Sequence, residues 1–271
     1  MSTPILQNKV AVVTGGAQGL GQAIARRLAR EGCQLIVVDV NEAGVKAAAA
    51  DVAKESGQRV LGLKVDITEE AEVKGLFDRA VQEFGRVDIV VANAAILIAE
   101  SITDADAEKW RAVMNVNLFG YFLTTKYACR VMKKQGSGAI ININSKSGKK
   151  GSAANSAYAA TKFGGIGLTQ SVALEMAPFN VRCNAICPGN LLDSPLWTHP
   201  EKGLFVQYFR AGKVPGAKTL EDVLRHYVNQ VPMKRGCTFD DVSNAVVFLA
   251  SDQSAYITGI ALSVTGGQEM N

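Results

Sequence analysis

The stretch NSAYAATKFGG, residues 155–165, sets a phenol and an ammonium four positions apart among small residues. On a helix, positions i and i+4 share a face, so Tyr158 and Lys162 would meet the same point in space. Ala, Ser and Gly bury little area, which suits the pair to face a reactant rather than fill a core. Free tyrosine ionises near pH ~10, leaving about a thousandth as phenolate at neutrality. An ammonium ~4 Å away, at an effective dielectric of ~20, would favour phenolate by up to ~4 kcal/mol before screening, or roughly three pKa units. Such a shift brings Tyr158 within reach of general-base work. Taken alone, the pair reads equally as a solvated helix face.

A second cluster is TGGAQGLG, Thr14 to Gly21. Gly15, Gly19 and Gly21 fall where an apolar run gives way to a helical pattern, so the backbone must bend tightly and approach a ligand closely. The N–H groups and positive dipole end of the following helix favour a pyrophosphate. A glycine pattern in that setting predicts a dinucleotide site. Asp39 ends the second apolar run about twenty residues on and can accept both adenine-ribose hydroxyls. It would repel a 2′-phosphate by ~4 kcal/mol at ~4 Å, and no Arg or Lys in the turn or just after Asp39 offsets that. NAD is therefore expected over NADP. Asp66, closing the third run, suits an adenine amino group or the cap of the helix that DITEE would begin.

The elements that must hold these groups alternate. VAVVTG (10–15), QLIVVD (34–39), RVLGLKVD (59–66), VDIVVANA (87–94), GAIININS (138–145), NVRCNAIC (180–187) and IALSVTG (260–266) read as near-continuous apolar strands, as expected of strands covered on both faces. Helical patterns separate them at 19–31, 42–56, 69–85, about 105–135, about 155–177 and 239–250. Val73, Leu76, Phe77, Ala80, Val81 and Phe84 form one stripe of the third. The prediction is an α/β fold: a doubly wound, seven-stranded parallel sheet with helices on both faces. One domain spans 1–271, with a helical insertion at 188–235 over the substrate. That insertion holds both histidines, His199 and His226, with Trp197, Phe205, Tyr208 and Phe209.

The 271 residues, 48% hydrophobic and 20% charged, can bury a large core without disulfides or metals. A net charge of +4 with no dense basic tract gives no sign of a nucleic-acid partner. No window approaches the ~20 apolar residues of a membrane span, and MSTPILQNKVAVVTGG carries none of the marks of a secretory signal. Five scattered cysteines without a CxxC suit a reducing cytoplasm. No histidine–acid cluster predicts a metal.

With TGGAQGLG, VANAA (91–95), VNLFG (116–120) and YAATK in that order, the sequence resembles the short-chain dehydrogenase/reductase family over essentially its whole length. Ser145, thirteen residues before Tyr158, has the separation usual in that family. The resemblance implies catalysis by Ser145, Tyr158 and Lys162, with Asn117 completing a tetrad. Tyr158 would exchange the carbinol proton as hydride moves to or from the nicotinamide. Ser145 would hydrogen-bond the same oxygen, Lys162 would also hold the nicotinamide ribose, and Asn117 would position a proton-carrying water. Further cofactor contacts are implied at Gln18 and Leu20 in the turn, at Asp66 and Ile67, at Asn93, and at Pro188, Gly189 and Leu191. Two departures stand out: Ala95 replaces a usual glycine, and Asp193 and Ser194 fall where a threonine usually holds the carboxamide. A homotetramer, built from the two long helices and the last strand, is a further implication.

Three more stretches resemble a subgroup of the family that acts on a hexitol phosphate with NAD: ININSKSGKKGSAANSAYAATKFGGIGLTQS, GNLLDSPLW, and VPMKRGCTFDDV with SVTGGQEM. The likeness is denser after residue 110. Loop SKSGKKGS agrees, since a phosphomonoester carries roughly −1.5 to −2 charges and Lys146, Lys149 and Lys150 follow Ser145. Lys146 and Lys149, with Asn190, are the expected substrate contacts, although solvated lysines read as well. Arg235 reads as structural. The alternatives are an unphosphorylated polyol and, in another class, a dinucleotide-binding protein without catalysis; Asp39 disfavours an NADPH-using oxoacyl reductase.

Overall fold

The computed structural model describes residues 4–270; residues 1–3 and 271, which the single-domain reading takes in, lie outside them. The strands are β1 (Val10–Thr14), β2 (Gln34–Asp39), β3 (Val60–Lys64), β4 (Ile89–Ala92), β5 (Gly138–Ile143), β6 (Val181–Pro188) and β7 (Ala261–Val264). The helices are α1 (Gly19–Arg30), α2 (Glu42–Ser56), α3 (Glu70–Phe84), α4 (Ala107–Met114), α5 (Gly120–Gln135), α6 (Ser156–Met176), α7 (Pro195–Thr198), α8 (Leu204–Arg210), α9 (Leu220–Asn229) and α10 (Phe239–Ala250).

All seven strands run parallel in the order β3-β2-β1-β4-β5-β6-β7. Alternation along them explains the two helix layers. Ala11, Val13, Leu35, Val37, Ile89 and Val91 face a core built with α1, α2 and α10. Val12, Ile36, Val38, Val90 and Ile140 face a second core built with α3, α5 and α6. A strand with apolar residues on both sides needs cover on both sides, and the predicted doubly wound sheet results. Strand order reverses between β1 and β4, opening a crevice at their carboxyl ends where such sheets take ligands. Of the predicted α3 stripe, Val81 is exposed after all.

The long helix expected at about 105–135 is present as one continuous run, α4 leading into α5 with every junction residue in the right-handed helical region. A π-helical turn, Asn115–Phe119, joins α4 to α5. A π-turn admits one extra residue, and such turns gather at functional sites. Here it lets the buried Asn117 amide accept from Ile96 N–H and donate to Ile96 C=O, both at 2.8 Å.

The insertion folds as α7, α8 and α9 around a small core of its own, with Leu192, Leu204, Val214 and Val223 about an aromatic knot. Trp197 stands edge-on to Tyr208 and Tyr227, with centroids at 5.6 and 4.9 Å, and those two tyrosines stack at 5.7 Å. No helix among the described residues is long and apolar enough to cross a membrane.

Candidate active site

The glycine turn is packed too closely for side chains at Gly15 and Gly21: a Cβ on Gly15 would lie 2.7 Å from Ala94 Cα. Gly15 and Gly19 have φ of +67° and +58°, a region costly for residues with a Cβ. A Cβ on Gly21 would lie 2.1 Å from Gly15 O. Gln18, at the N-cap of α1, makes no side-chain cap bond, and the first turn contains no acid. The N–H groups there remain available to an anion. Leu20 packs its side chain against the first core, leaving its backbone to the turn. Asp39 Oδ2 accepts from Ala17 N–H at 3.1 Å and Oδ1 from Asn41 N–H at 3.0 Å, which ties the end of β2 to the turn. These residues fit a dinucleotide.

Asn93 acts differently from expectation: its amide donates to Thr14 O and Gly15 O, both at 3.0 Å, bracing the turn from behind. Ala95 is absent from the residues of positive φ, so no glycine is required there. Asp66 Oδ1 accepts from Thr68 N–H and Oγ at 2.8 and 2.7 Å, the turn that leads into α3. Ile67 is buried and packs where Gly120 leaves room. A cofactor contact would fall to the second carboxylate oxygen of Asp66 and to the backbone of Ile67.

The small residues of α6 have a direct cause. Asn144, at the end of β5, donates to Lys162 O at 2.9 Å, and Lys162 Nζ returns a bond to Ile143 O at 2.9 Å. A Cβ on Gly165 would lie 3.0 Å from the Asn144 amide, and one on Gly148 2.3 Å from its oxygen. Helix and strand are stitched together at a separation that only small side chains permit. This sets Lys162 Nζ 5.4 Å from the Tyr158 ring centroid. Ser145 follows on an extended backbone, its Oγ accepting from Ser147 N–H at 3.1 Å.

The expected acidification of Tyr158 by Lys162 is opposed by burial. Burial pushes the phenol up to about 12, and the Ser145 hydroxyl offsets this only in part. Burial likewise pulls Lys162 down to about 8. Charge is thus disfavoured on both groups, while the Lys162 ammonium is directed to Ile143 O.

Beyond β6, Gly189 N–H donates to Val264 O at 2.9 Å, and a Cβ there would lie 3.3 Å from Thr265 Cα, so Pro188 and Gly189 hug the last strand. Leu191 O accepts from Ser194 N–H at 2.9 Å, which closes the turn into α7. Asp193 is exposed, whereas Ser194 Oγ and Asn190 Nδ2 are buried without a partner. An orphaned buried donor is costly, and both fit groups brought by a ligand. Leu191, Asp193 and Ser194 line a cleft of about 320 Å³ with Ala23 and the start of α10.

Lys149 is corrected. Its ammonium donates to Ala261 O at 2.6 Å and Ser263 Oγ at 2.9 Å, against β7, and is committed to the sheet edge. Lys150 is exposed, while Lys146 is half-buried with its Nζ 6.0 Å from the Tyr227 ring centroid. Arg235 forms a bidentate pair with Asp241 at 2.6 and 3.0 Å, a structural brace. His199 Nδ1 accepts from Glu201 and Lys202 N–H at 3.2 Å. Sequence reading missed Asn144, Asn155 and Lys213, and placed Tyr208 in the insertion without its link to α6. The buried amides in ININS were the available signal for Asn144; the others become neighbours only through the fold.

A family model described as short chain dehydrogenase matches residues 9–202, and one described as Enoyl-(Acyl carrier protein) reductase matches residues 207–269. The chain belongs to the short-chain dehydrogenase family, whose members typically bind a nicotinamide cofactor, and it is an oxidoreductase of that type. It is 43% identical over 266 residues to sorbitol-6-phosphate 2-dehydrogenase of Escherichia coli (strain K12), covering 97% of this chain and 99% of the relative. The crystal structure of sorbitol-6-phosphate 2-dehydrogenase from Erwinia amylovora superposes with a TM-score of 0.90 at 41% identity, covering 96% and 100% of the two chains. NAD+-bound xylitol dehydrogenase follows at TM-score 0.89 and 32% identity, covering 97% and 99%.

Proposed function

We propose that the chain is an NAD-dependent dehydrogenase interconverting sorbitol 6-phosphate and fructose 6-phosphate. The observation that carries this reading is the juxtaposition of Ser145, Tyr158 and Lys162 with an unpaired, half-buried Lys146 at the end of β5. The E. coli relative, alike over nearly the full length of both chains, supports the substrate. Asp39, which already faces the glycine turn, supports NAD over NADP.

Bound, the nicotinamide supplies the hydride acceptor and, when oxidised, a positive charge beside the phenol. Gly15, Gly19 and Gly21 let the turn fold tightly enough that the α1 N-terminus would meet the pyrophosphate, Gln18 and Leu20 would offer backbone N–H groups, and Asp39 would take the adenine ribose. Lys162, freed from Ile143 O, can take hydroxyls of the other ribose. Ser194 Oγ replaces the missing threonine at the carboxamide, with the Leu191 backbone beside it. In alcohol oxidation Tyr158 withdraws the hydroxyl proton while Ser145 Oγ hydrogen-bonds the same oxygen, and in reduction it returns that proton. The Asn117 side chain is committed to Ile96. Its part in moving protons from Lys162 therefore falls to the main-chain carbonyl in the π-turn. Asn190 Nδ2, buried and without a partner, suits a polyol hydroxyl.

Activity with sorbitol 6-phosphate and with sorbitol, each with NAD and NADP, tests the reading. A specificity constant higher for the phosphorylated hexitol, with NAD, upholds it. A higher constant for free sorbitol favours the second reading, an unphosphorylated polyol, to which the xylitol dehydrogenase neighbour lends weight. We further propose a homotetramer in a reducing cytoplasm. Phe119, Phe122 and Phe163 stand exposed where the long helices would meet another copy, and all five cysteines are free. Sedimentation as four copies upholds the tetramer, and a monomer at micromolar concentration refutes it.

A further inference from the structure

Two lysines come together beside Ser145 and Tyr158 from opposite sides of the site. Lys146 follows Ser145 directly. Lys213 lies between α8 and α9, over fifty residues away in sequence. Its Nζ sits 3.9 Å from the Tyr208 ring centroid and donates to Ser152 Oγ at 3.1 Å. The Asn155 amide, oriented so that both of its ends are satisfied, accepts from Lys213 Nζ and Tyr208 Oη, each at 2.9 Å, and donates to Ala154 O at 2.8 Å. Asn155 is the N-cap of α6, one turn before Tyr158. Tyr208 stacks on Tyr227, whose ring lies 6.0 Å from Lys146 Nζ. The two ammonium groups thus sit on neighbouring rings of one aromatic pair, at the junction of insertion and catalytic helix.

Neither has a carboxylate within 4.0 Å among the described residues. Both are half-buried. Partial burial draws each down to about 8, Lys146 opposes the charge on Lys213, and the field of Glu269 reaches Lys146 against that of Lys150. Half-buried cations with no counter-ion are expensive. A dianion placed between them removes that cost and gains charge-assisted hydrogen bonds. Lys213 has neutral acceptors only, which a phosphate oxygen can replace.

We propose that Lys146 and Lys213 together form the subsite for the phosphate group of the substrate, so that a phosphorylated alcohol draws the α7–α9 insertion onto the catalytic helix. This deepens the reading of the preceding subsection and rests on it for the identity of the alcohol.

The test compares specificity constants for sorbitol 6-phosphate and sorbitol in wild type, Lys213→Gln, Lys146→Gln and Lys213→Arg. Lys218→Gln, an exposed lysine of the insertion, serves as control. Inhibition by inorganic phosphate, competitive against the alcohol, is measured alongside. Each Gln variant should lower the phosphorylated-to-free ratio at least about tenfold, the value of one charge-assisted hydrogen bond. Lys213→Arg should restore most of it, Lys218→Gln should leave it alone, and phosphate should inhibit the Gln variants several-fold more weakly. A strap that merely held the insertion in place would depress both substrates together and leave the ratio unmoved; a ratio within twofold of wild type in Lys213→Gln overturns the proposal. If wild type prefers free sorbitol, the substrate reading fails separately, and phosphate inhibition alone decides the subsite. A constant weakened by Lys213→Gln retains it; an unmoved constant, or no inhibition at all, removes it.

Discussion

Replacing Asp39 by Asn should move the enzyme toward NADP by an amount that its contacts allow us to work out. The carboxylate is held by Ala17 and Asn41 N–H at 3.1 and 3.0 Å, so it cannot swing aside from a 2′-phosphate. Two unit charges ~4 Å apart oppose each other by ~4 kcal/mol at an effective dielectric of ~20. Asp39 is half-exposed, and discounting for solvent and salt leaves about 2 kcal/mol, or roughly thirtyfold. The amide keeps one acceptor for Asn41 or Ala17 and loses the other, a cost of about 1 kcal/mol that falls on NAD as well. It also accepts the ribose hydroxyls less strongly than a carboxylate. The NADP-to-NAD ratio of specificity constants, measured at saturating alcohol and fixed ionic strength, should rise at least about thirtyfold, since the cost shared by both coenzymes cancels. High salt should narrow the gap. A ratio within threefold of wild type would refute the assignment of Asp39 to coenzyme choice.

Gly21→Ala places a Cβ 2.1 Å from Gly15 O, so the turn must open. Coenzyme affinity by fluorescence titration should fall at least about a hundredfold, whereas unchanged affinity would separate the turn from the pyrophosphate. Lys162→Met tests the cost of the buried ammonium. Folding lowers its pKa from 10.5 to about 8, so the folded state carries the full penalty below about pH 8 and sheds it as pH rises toward 10.5. The variant's stability relative to wild type, from denaturant melts without coenzyme, should therefore be more favourable near neutral pH than near pH ~10. A pH-independent difference contradicts this. Cys33, Cys129, Cys183 and Cys237, whose pKa values burial raises, are common to both proteins and cancel. Cys187 feels the Lys162 charge, so both proteins are compared in a Cys187→Ser background.

What could be read in the chain follows the range of the contacts. Tyr158 and Lys162 announce themselves because helical spacing is local, and Asp39 because a strand carries it to the glycine turn. The strands are legible as apolar runs for the same reason. Asn155, Tyr208 and Lys213 meet only when the insertion folds back on α6, and no local pattern records that. The π-turn at Asn117 escapes notice because an added residue changes no composition. Lys146 stands out in SKSGKKGS by its place next to Ser145, but only the fold shows Lys149 turned to β7. Spacing brought phenol and ammonium together but says nothing of dielectric, and burial opposes the expected shift of Tyr158.

The most direct test of Tyr158 as the proton-exchanging group is Tyr158→Phe, read as turnover and as coenzyme affinity on the same preparation. The account predicts that kcat falls at least about a hundredfold, the usual scale of a lost general acid–base group, with NAD affinity within threefold of wild type. Turnover within tenfold of wild type, in a variant that still binds NAD, would contradict it.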